Sequence, residues 1–250
     1  MRFVLLTLFA ALVLSACSDD SATSPDDSEL QTPAVGSVFN LIGWRFKENS
    51  STFDSLPGTT AASVMTITEK NISYEGKSGV WKTIITDVRT GRITDTLYMC
   101  YDANKDLLLL DPRRTAEINA TLPAGVRRLS WIRLPLSTKS RYRDTIITSG
   151  VFDGKQVQRR LLVNAEVSGG GNFDFGSGEI FSFGFFIRLI DELNSTQGSV
   201  PVQLKAVFLD EYCYYAPKLG VLTERTQPGY SYAGKVSDGR YFELLSYTLK

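Results

Sequence analysis

Histidine is missing from all 250 residues. That absence removes Ser-His-Asp and Cys-His machinery, the commonest proton shuttle and most zinc sites. No serine stands three residues before a lysine, so the serine-lysine hydrolase pattern is missing as well. Cysteine is scarce, with three residues at 17, 100 and 213. Neither sign of charge prevails, with 27 acids against 27 bases. The Arg113-Arg114, Arg127-Arg128 and Arg159-Arg160 pairs are scattered instead of forming the basic stripe that nucleic-acid binding wants. They read as solvated turn and strand faces. Apolar runs are short too, none reaching the roughly 20 residues that a spanning helix takes.

The one conspicuous apolar run is Phe3 to Leu14, which follows Arg2 and has the length of a signal-peptide core. It ends in Leu14-Ser15-Ala16-Cys17, which resembles the lipobox of bacterial lipoprotein signal peptides. The resemblance implies cleavage after Ala16, a diacylglycerol thioether on Cys17 and acylation of the new amine. Several acyl chains hold a protein to a bilayer far more firmly than one. Ser18, not aspartate, follows the cysteine, and Asp19-Asp20 come next. That start is similar to outer-membrane lipoproteins and to acidic surface-export signals, so the expected address is the outer membrane, on its periplasmic face or at the cell surface.

Residues 18 to 33, SDDSATSPDDSELQTP, hold five acids, no base and two prolines. Such a stretch cannot bury enough surface to offset its ordering entropy and reads as a self-repelling linker. The expected organisation is therefore a signal peptide at 1–16, a lipid-anchored acidic linker at 17–33 and a single β-rich domain at 34–250. Without Arg2 and the five linker acids, 26 bases face 22 acids, a mild positive excess.

From Ala34 onward, short runs of Val, Ile, Thr, Tyr and Phe alternate with Gly, Asn, Asp and Pro, the pattern of consecutive antiparallel strands. Strands are expected at Val38 to Lys47, Ala61 to Glu75, Val80 to Val88, Arg92 to Tyr101 and Lys105 to Asp111. In the second half Phe181, Phe183, Phe185, Ile187 and Leu189 share one parity, as do Leu161, Val163, Ala165 and Val167. Val202, Leu204, Ala206 and Phe208 form another such set, and Tyr241, Leu245, Tyr247 and Leu249 a fourth. Gly76 to Gly79, Thr90-Gly91, Asp153-Gly154 and Asp238-Gly239 offer hairpin turns. One helix is conceivable, between Pro112 and Leu122, capped by Asp111. An antiparallel sheet with a strongly apolar face and almost no helix must close or pack on itself. The fold class is all-β: a half-barrel, a barrel or a sandwich.

Tyr214-Tyr215-Ala216-Pro217-Lys218-Leu219-Gly220-Val221-Leu222 and the closing strand Tyr241 to Leu249 resemble the C-terminus of a family of uncharacterised bacterial outer-membrane lipoproteins. Trp131 to Leu136 is similar to the tryptophan-containing strand that opens that region. Lys218 departs from the glycine expected there. The resemblance implies a curved antiparallel half-barrel and carries no assigned chemistry.

Motifs that suggest catalysis or metal binding have blander readings. Gly76-Lys77-Ser78 ends like a phosphate-binding loop, but Asn71 replaces its first glycine and strands flank it. Asp102, Asn104, Asp106 and Asp111 suggest a calcium loop, yet Leu107 and Arg113 occupy its obligatory glycine and glutamate positions. Asp174 with Glu179, or Asp210 with Glu211, are conceivable glycosidase carboxylates, equally explained as strand ends. Cys100 and Cys213 form a possible disulfide in an oxidising compartment, or else two buried thiols. Phe173 and Phe175, in the glycine-rich run Ser168 to Gly178, are a possible cavity lip, or part of a slack hairpin.

The sequence therefore predicts a non-enzymatic, lipid-anchored envelope protein without metal or cofactor. Its partners are the membrane, through acyl chains on Cys17, and an unknown protein or apolar ligand, with no nucleic acid. Two alternatives stand beside a structural or binding module: a carrier of an apolar ligand in a half-barrel cavity, and a carbohydrate-binding or carbohydrate-active surface lipoprotein.

Overall fold

The computed structural model describes residues 30–47, 53–113, 122, 124–137, 141–175, 178–197, 202–227 and 238–250. Signal peptide, Cys17 and most of the acidic linker lie outside them.

Twelve strands form one antiparallel sheet: β1 (Val38–Phe46), β2 (Ala61–Tyr74), β3 (Lys77–Asp87), β4 (Ile93–Tyr101), β5 (Leu107–Leu110), β6 (Ile132–Leu134), β7 (Arg141–Phe152), β8 (Lys155–Asp174), β9 (Glu179–Ser195), β10 (Val202–Ala216), β11 (Val221–Gln227) and β12 (Gly239–Thr248). Their order is β6-β5-β4-β3-β2-β1-β12-β11-β10-β9-β8-β7. Two meanders thus meet where β1 pairs with β12, and the sheet curls into a nearly closed barrel. It is not a sandwich.

Turn chemistry fixes the hairpins. Asp153 and Gly154 both take positive φ, 49° and 71°, between Phe152 and Lys155, which pair directly. Glu75 and Gly76 do the same at 44° and 75° between Tyr74 and Lys77, so that turn sits at 75–76, ahead of the expected Gly76 to Gly79. Two positive-φ residues give the turn whose twist matches the flanking strands. Gly239 is not a turn residue at all. It opens β12, and a Cβ there would lie 2.2 Å from the ring of Phe46.

The interior contains Phe39, Met65, Ile67, Trp81, Leu97 and Met99 from one meander and Val163, Phe183, Phe185, Ile187, Tyr215 and Val221 from the other, all buried. Alternation along β8 and β9 is as expected, except that Phe181 at the β9 end is 38% exposed. It is overturned elsewhere. On β10 the register shifts between Gln203 and Lys205, Val207 and Leu209 point inward, and Val202, Leu204 and Phe208 are exposed. On β12 Leu244 is buried opposite Leu41 and Leu245 is exposed, because the β1 register shifts between Asn40 and Leu41. One extra residue on one strand sends every later side chain to the other face.

The barrel seam between β6 and β7 is bridged by side chains. Arg159 is not on a solvated face: 2% exposed, it donates from Nε and Nη2 to Asp191 at 2.6 to 3.1 Å and from Nη1 to the Val126 carbonyl at 3.2 Å. Val126 ends a short 3-10 turn, Ala124–Val126, and Arg128 reaches the Thr148 hydroxyl at 2.9 Å. Of the expected helix, Pro112 and Arg113 are helical, and residues 114–121 lie outside the described ones.

The folded body begins before Ala34. Leu30 packs against the core, the Gln31 amide donates to the Pro217 carbonyl at 3.1 Å, and Lys70 reaches the Thr32 carbonyl at 3.0 Å. Pro33 lies against Gly220, whose φ is +64° and where a Cβ would meet the proline ring at 2.3 Å. The linker's last four residues are therefore part of the barrel, held by backbone bonds that composition does not reveal.

Candidate functional site

The Tyr-Tyr-Ala-Pro-x-x-Gly-Val-Leu run lies at the end of the barrel where the chain enters. Ala216 accepts from the amides of Leu219 and Gly220 at 3.1 and 2.9 Å, and Trp81 donates to the Gly220 carbonyl at 3.1 Å. Tyr215 is wholly buried and its hydroxyl is 2.6 Å from that of Tyr101. Burial pushes the Tyr101 phenol up to about 12 and that of Tyr215 well above its ordinary value. Among the described residues these contacts fill the barrel interior at this end.

Among the described residues the opposite end is open. A cavity of about 560 Å³ is lined by Leu41, Gly43, Arg45, Ala61, Ser63, Ile85, Asp87, Ile93, Thr94, Asp95, Arg113, Arg240 and Phe242, among others. β1 explains the polarity of the molecule. It starts beside the docked linker at Val38 and reaches the cavity at Gly43 to Arg45, on the order of 20 Å away at about 3.3 Å per residue.

Charges around the mouth are already engaged. Arg45 pairs with Asp238, and Arg113 donates from Nη1 to the Thr94 carbonyl at 2.6 Å. Asp87 accepts from the Thr90 amide and hydroxyl at 2.7 and 2.8 Å, which holds its carboxyl below the ordinary value. Asp95 accepts from the Thr96 amide at 2.8 Å.

Below Asp95 sits a buried ionic cluster. Arg225 on β11 is fully buried and donates to Glu211 on β10 at 2.8 Å and to Asp111 after β5 at 2.7 Å, and its Nη1 lies 3.9 Å from Asp95 on β4. Because β4 and β5 are five or more places from β10 and β11 in sheet order, this guanidinium joins opposite walls. Burying such groups costs several kcal/mol per ion unless they are paired and hydrogen-bonded. Asp95 is the member of this cluster that also lines the cavity. Nothing in the sequence marks Arg225, since pairing partners 14, 114 and 130 positions away are invisible to periodicity.

Other sequence candidates lie elsewhere. Asp210 is exposed in a bidentate pair with Arg188, both bonds 2.7 Å, on the face opposite Glu211. Asp174 and Glu179 are directly paired at the end of the β8–β9 hairpin. Asp102 organises its turn by accepting from the amides of Asn104 and Asp106 at 2.8 and 3.0 Å, and Asp106 takes the Arg133 Nε at 2.7 Å. Turn chemistry and an ion pair thus occupy the oxygens that a calcium loop would need.

Cys100 and Cys213 are both buried, and neither is in a disulfide. Tyr101 and Tyr215 meet inside the barrel, so by strand alternation Cys213 shares the interior face with Tyr215 while Cys100 faces outward. Opposite faces cannot be bridged without moving backbone. Phe173 and Phe175 are not a lip. β8 runs through the glycines to Asp174, Phe173 lies edge-on to Tyr214 at 5.2 Å, and Phe175 is buried in the core. Rings replace the missing side chains: a Cβ on Gly170 would meet Phe181 at 2.7 Å, and one on Gly184 would meet Tyr214 at 2.9 Å.

From Phe183 to Leu189 the inward face of β9 is buried among core side chains, with no more than 3% of any residue exposed.

No protein-family model matches the sequence, and no curated protein matches it. Among solved structures, one of a candidate lipoprotein from Parabacteroides distasonis is similar at 13% identity, with a TM-score of 0.47, over 89% of this chain and 100% of that chain.

Proposed function

We infer that the protein is a lipid-anchored outer-membrane module that binds a small polar ligand in the open end of its barrel, without catalysing a reaction. The observation that carries this reading is the contrast between the two ends. One is filled by the docked linker and a packed core, and the other keeps a 560 Å³ hollow of the size that small-molecule sites have. The anchor rests on the lipobox at Leu14 to Cys17. A tether attached to the filled end leaves the mouth facing away from the bilayer, where a solute arrives unobstructed.

Two measurements test it. The intact mass of the mature chain from the membrane fraction carries acyl mass on Cys17; an unmodified cysteine defeats the anchor. Native mass spectrometry of protein released from its own membranes detects a bound small molecule, which Ala61→Trp, placed to fill the mouth, expels. Equal retention by both proteins defeats the mouth.

A further inference from the structure

We propose that the mouth takes a neutral, hydroxyl-rich ligand, a saccharide ring or the terminal rings of a longer glycan. This rests on the mouth being the binding site and goes further by naming the chemical class.

Charge comes first. Arg45, Arg113 and Arg240 line the mouth with Asp87 and Asp95, and Asp238 pairs with Arg45 at its rim. Three bases thus face three acids. An anion entering would gain from the arginines and lose against the acids, and a cation would meet the reverse. A neutral ligand avoids both penalties and still finds charged hydrogen-bonding partners, which are about twice as strong as neutral ones.

Hydrogen-bonding capacity comes second. The wall offers acceptors in Asp87 and Asp95, donors in Arg113 and Arg240, and dual groups in Thr59, Ser63 and Thr94. A hydroxyl donates and accepts at once, so a polyol can use both kinds of neighbour without carrying charge. Hydrocarbon comes third. Leu41, Ile85 and Phe242 lie among these polar groups, and Ile93 at the rim is 61% exposed. A sugar ring has the matching combination, polar at its edge and carbon–hydrogen on its faces. Gly43 and Ala61 pair across β1 and β2, and a Cβ on Gly43 would lie 2.9 Å from the Tyr241 carbonyl oxygen.

Isothermal titration of the full mature protein in detergent tests this with maltose, cellobiose, digalacturonate, dialanine and inorganic phosphate. A soluble polysaccharide ending in the bound ring is run beside the free disaccharide to separate the two sources of that chemistry. The expected result is binding of a neutral disaccharide or polymer end that is insensitive to salt. Ala61→Trp weakens it at least about tenfold, and Arg188→Gln, in an exposed pair outside the mouth, leaves it unchanged. Thr59→Trp, on the same wall, serves if Ala61→Trp fails to fold. Salt-sensitive binding of digalacturonate, phosphate or dialanine, abolished by the tryptophan variants, overturns the ligand class and leaves the mouth standing. Saccharide binding untouched by either tryptophan variant overturns both. No binding of any probe overturns the class.

Discussion

The hydroxyls of Tyr101 and Tyr215 lie 2.6 Å apart inside the barrel, although 114 positions separate them in the chain. Tyr101 also donates to the Gln31 carbonyl at 3.1 Å, so Tyr215 supplies the proton between the two phenols. One pair of rings therefore joins the two meanders and fastens the end of the linker to both.

Loss of either hydroxyl is expected to be unequal. Tyr215→Phe removes one hydrogen bond and costs about 1 kcal/mol, while Tyr101→Phe removes two and costs more. Urea unfolding measures both. Hydrogen exchange at the Gln31 amide rises more in Tyr101→Phe, because only that variant releases the linker directly.

Arg225→Met leaves Glu211 and Asp111 buried without their guanidinium. Removing one partner of a buried ionic cluster typically costs 3–5 kcal/mol. The expected midpoint shift in urea is correspondingly large, whereas Arg188→Met, which breaks an exposed pair, shifts it by less than about 1 kcal/mol. Equal shifts would show that burial of the cluster contributes nothing special.

Glu224 and Glu243 are directly opposite on β11 and β12, with the Tyr241 hydroxyl donating to Glu243 at 3.0 Å. Burial, opposed by a hydrogen bond from Tyr241 and reinforced by the charge of Glu243, raises the Glu224 carboxyl above its ordinary value. A raised acid binds its proton more tightly in the native state. Its stabilising contribution is present below the ordinary carboxyl range and is lost as pH rises through the raised value. Glu224→Gln is therefore expected to stabilise the protein at neutral pH, by roughly 0.2–1 kcal/mol for like charges face to face. Thermal unfolding across pH shows the gain disappearing in acid.

Thiol counting reports on all three cysteines. Burial pushes the Cys100 thiol up to about 11, and Cys213 is equally enclosed, so Ellman's reagent should react slowly with the native chain. In denaturant without reductant, two thiols should appear. One pair lost to a disulfide would leave none of these two, and a third thiol would mean that Cys17 carries no thioether.

Much of the architecture was legible because it is local. Period-two alternation along Leu161 to Val167 and Phe183 to Leu189, and the Asp153-Gly154 turn, depend on neighbours within one hairpin. Faces were misassigned at Val202 to Phe208, whose even-numbered apolar side chains are exposed, and at Tyr241 to Leu249, where a bulge at 245 reverses the parity. A bulge costs one residue of register and leaves no compositional trace.

By itself the sequence determined that the chain is strand-built, lacks histidine and carries a cysteine after a run that resembles a lipobox, because composition, short-range alternation and contiguous motifs are one-dimensional properties. Tertiary structure alone decided that among the described residues one end is filled and the other open, that Arg159 and Arg225 are interior, and that Cys100 and Cys213 face opposite ways. Those features depend on which strands become neighbours when the sheet curls. That choice is made by packing and charge pairing between residues more than a hundred positions apart.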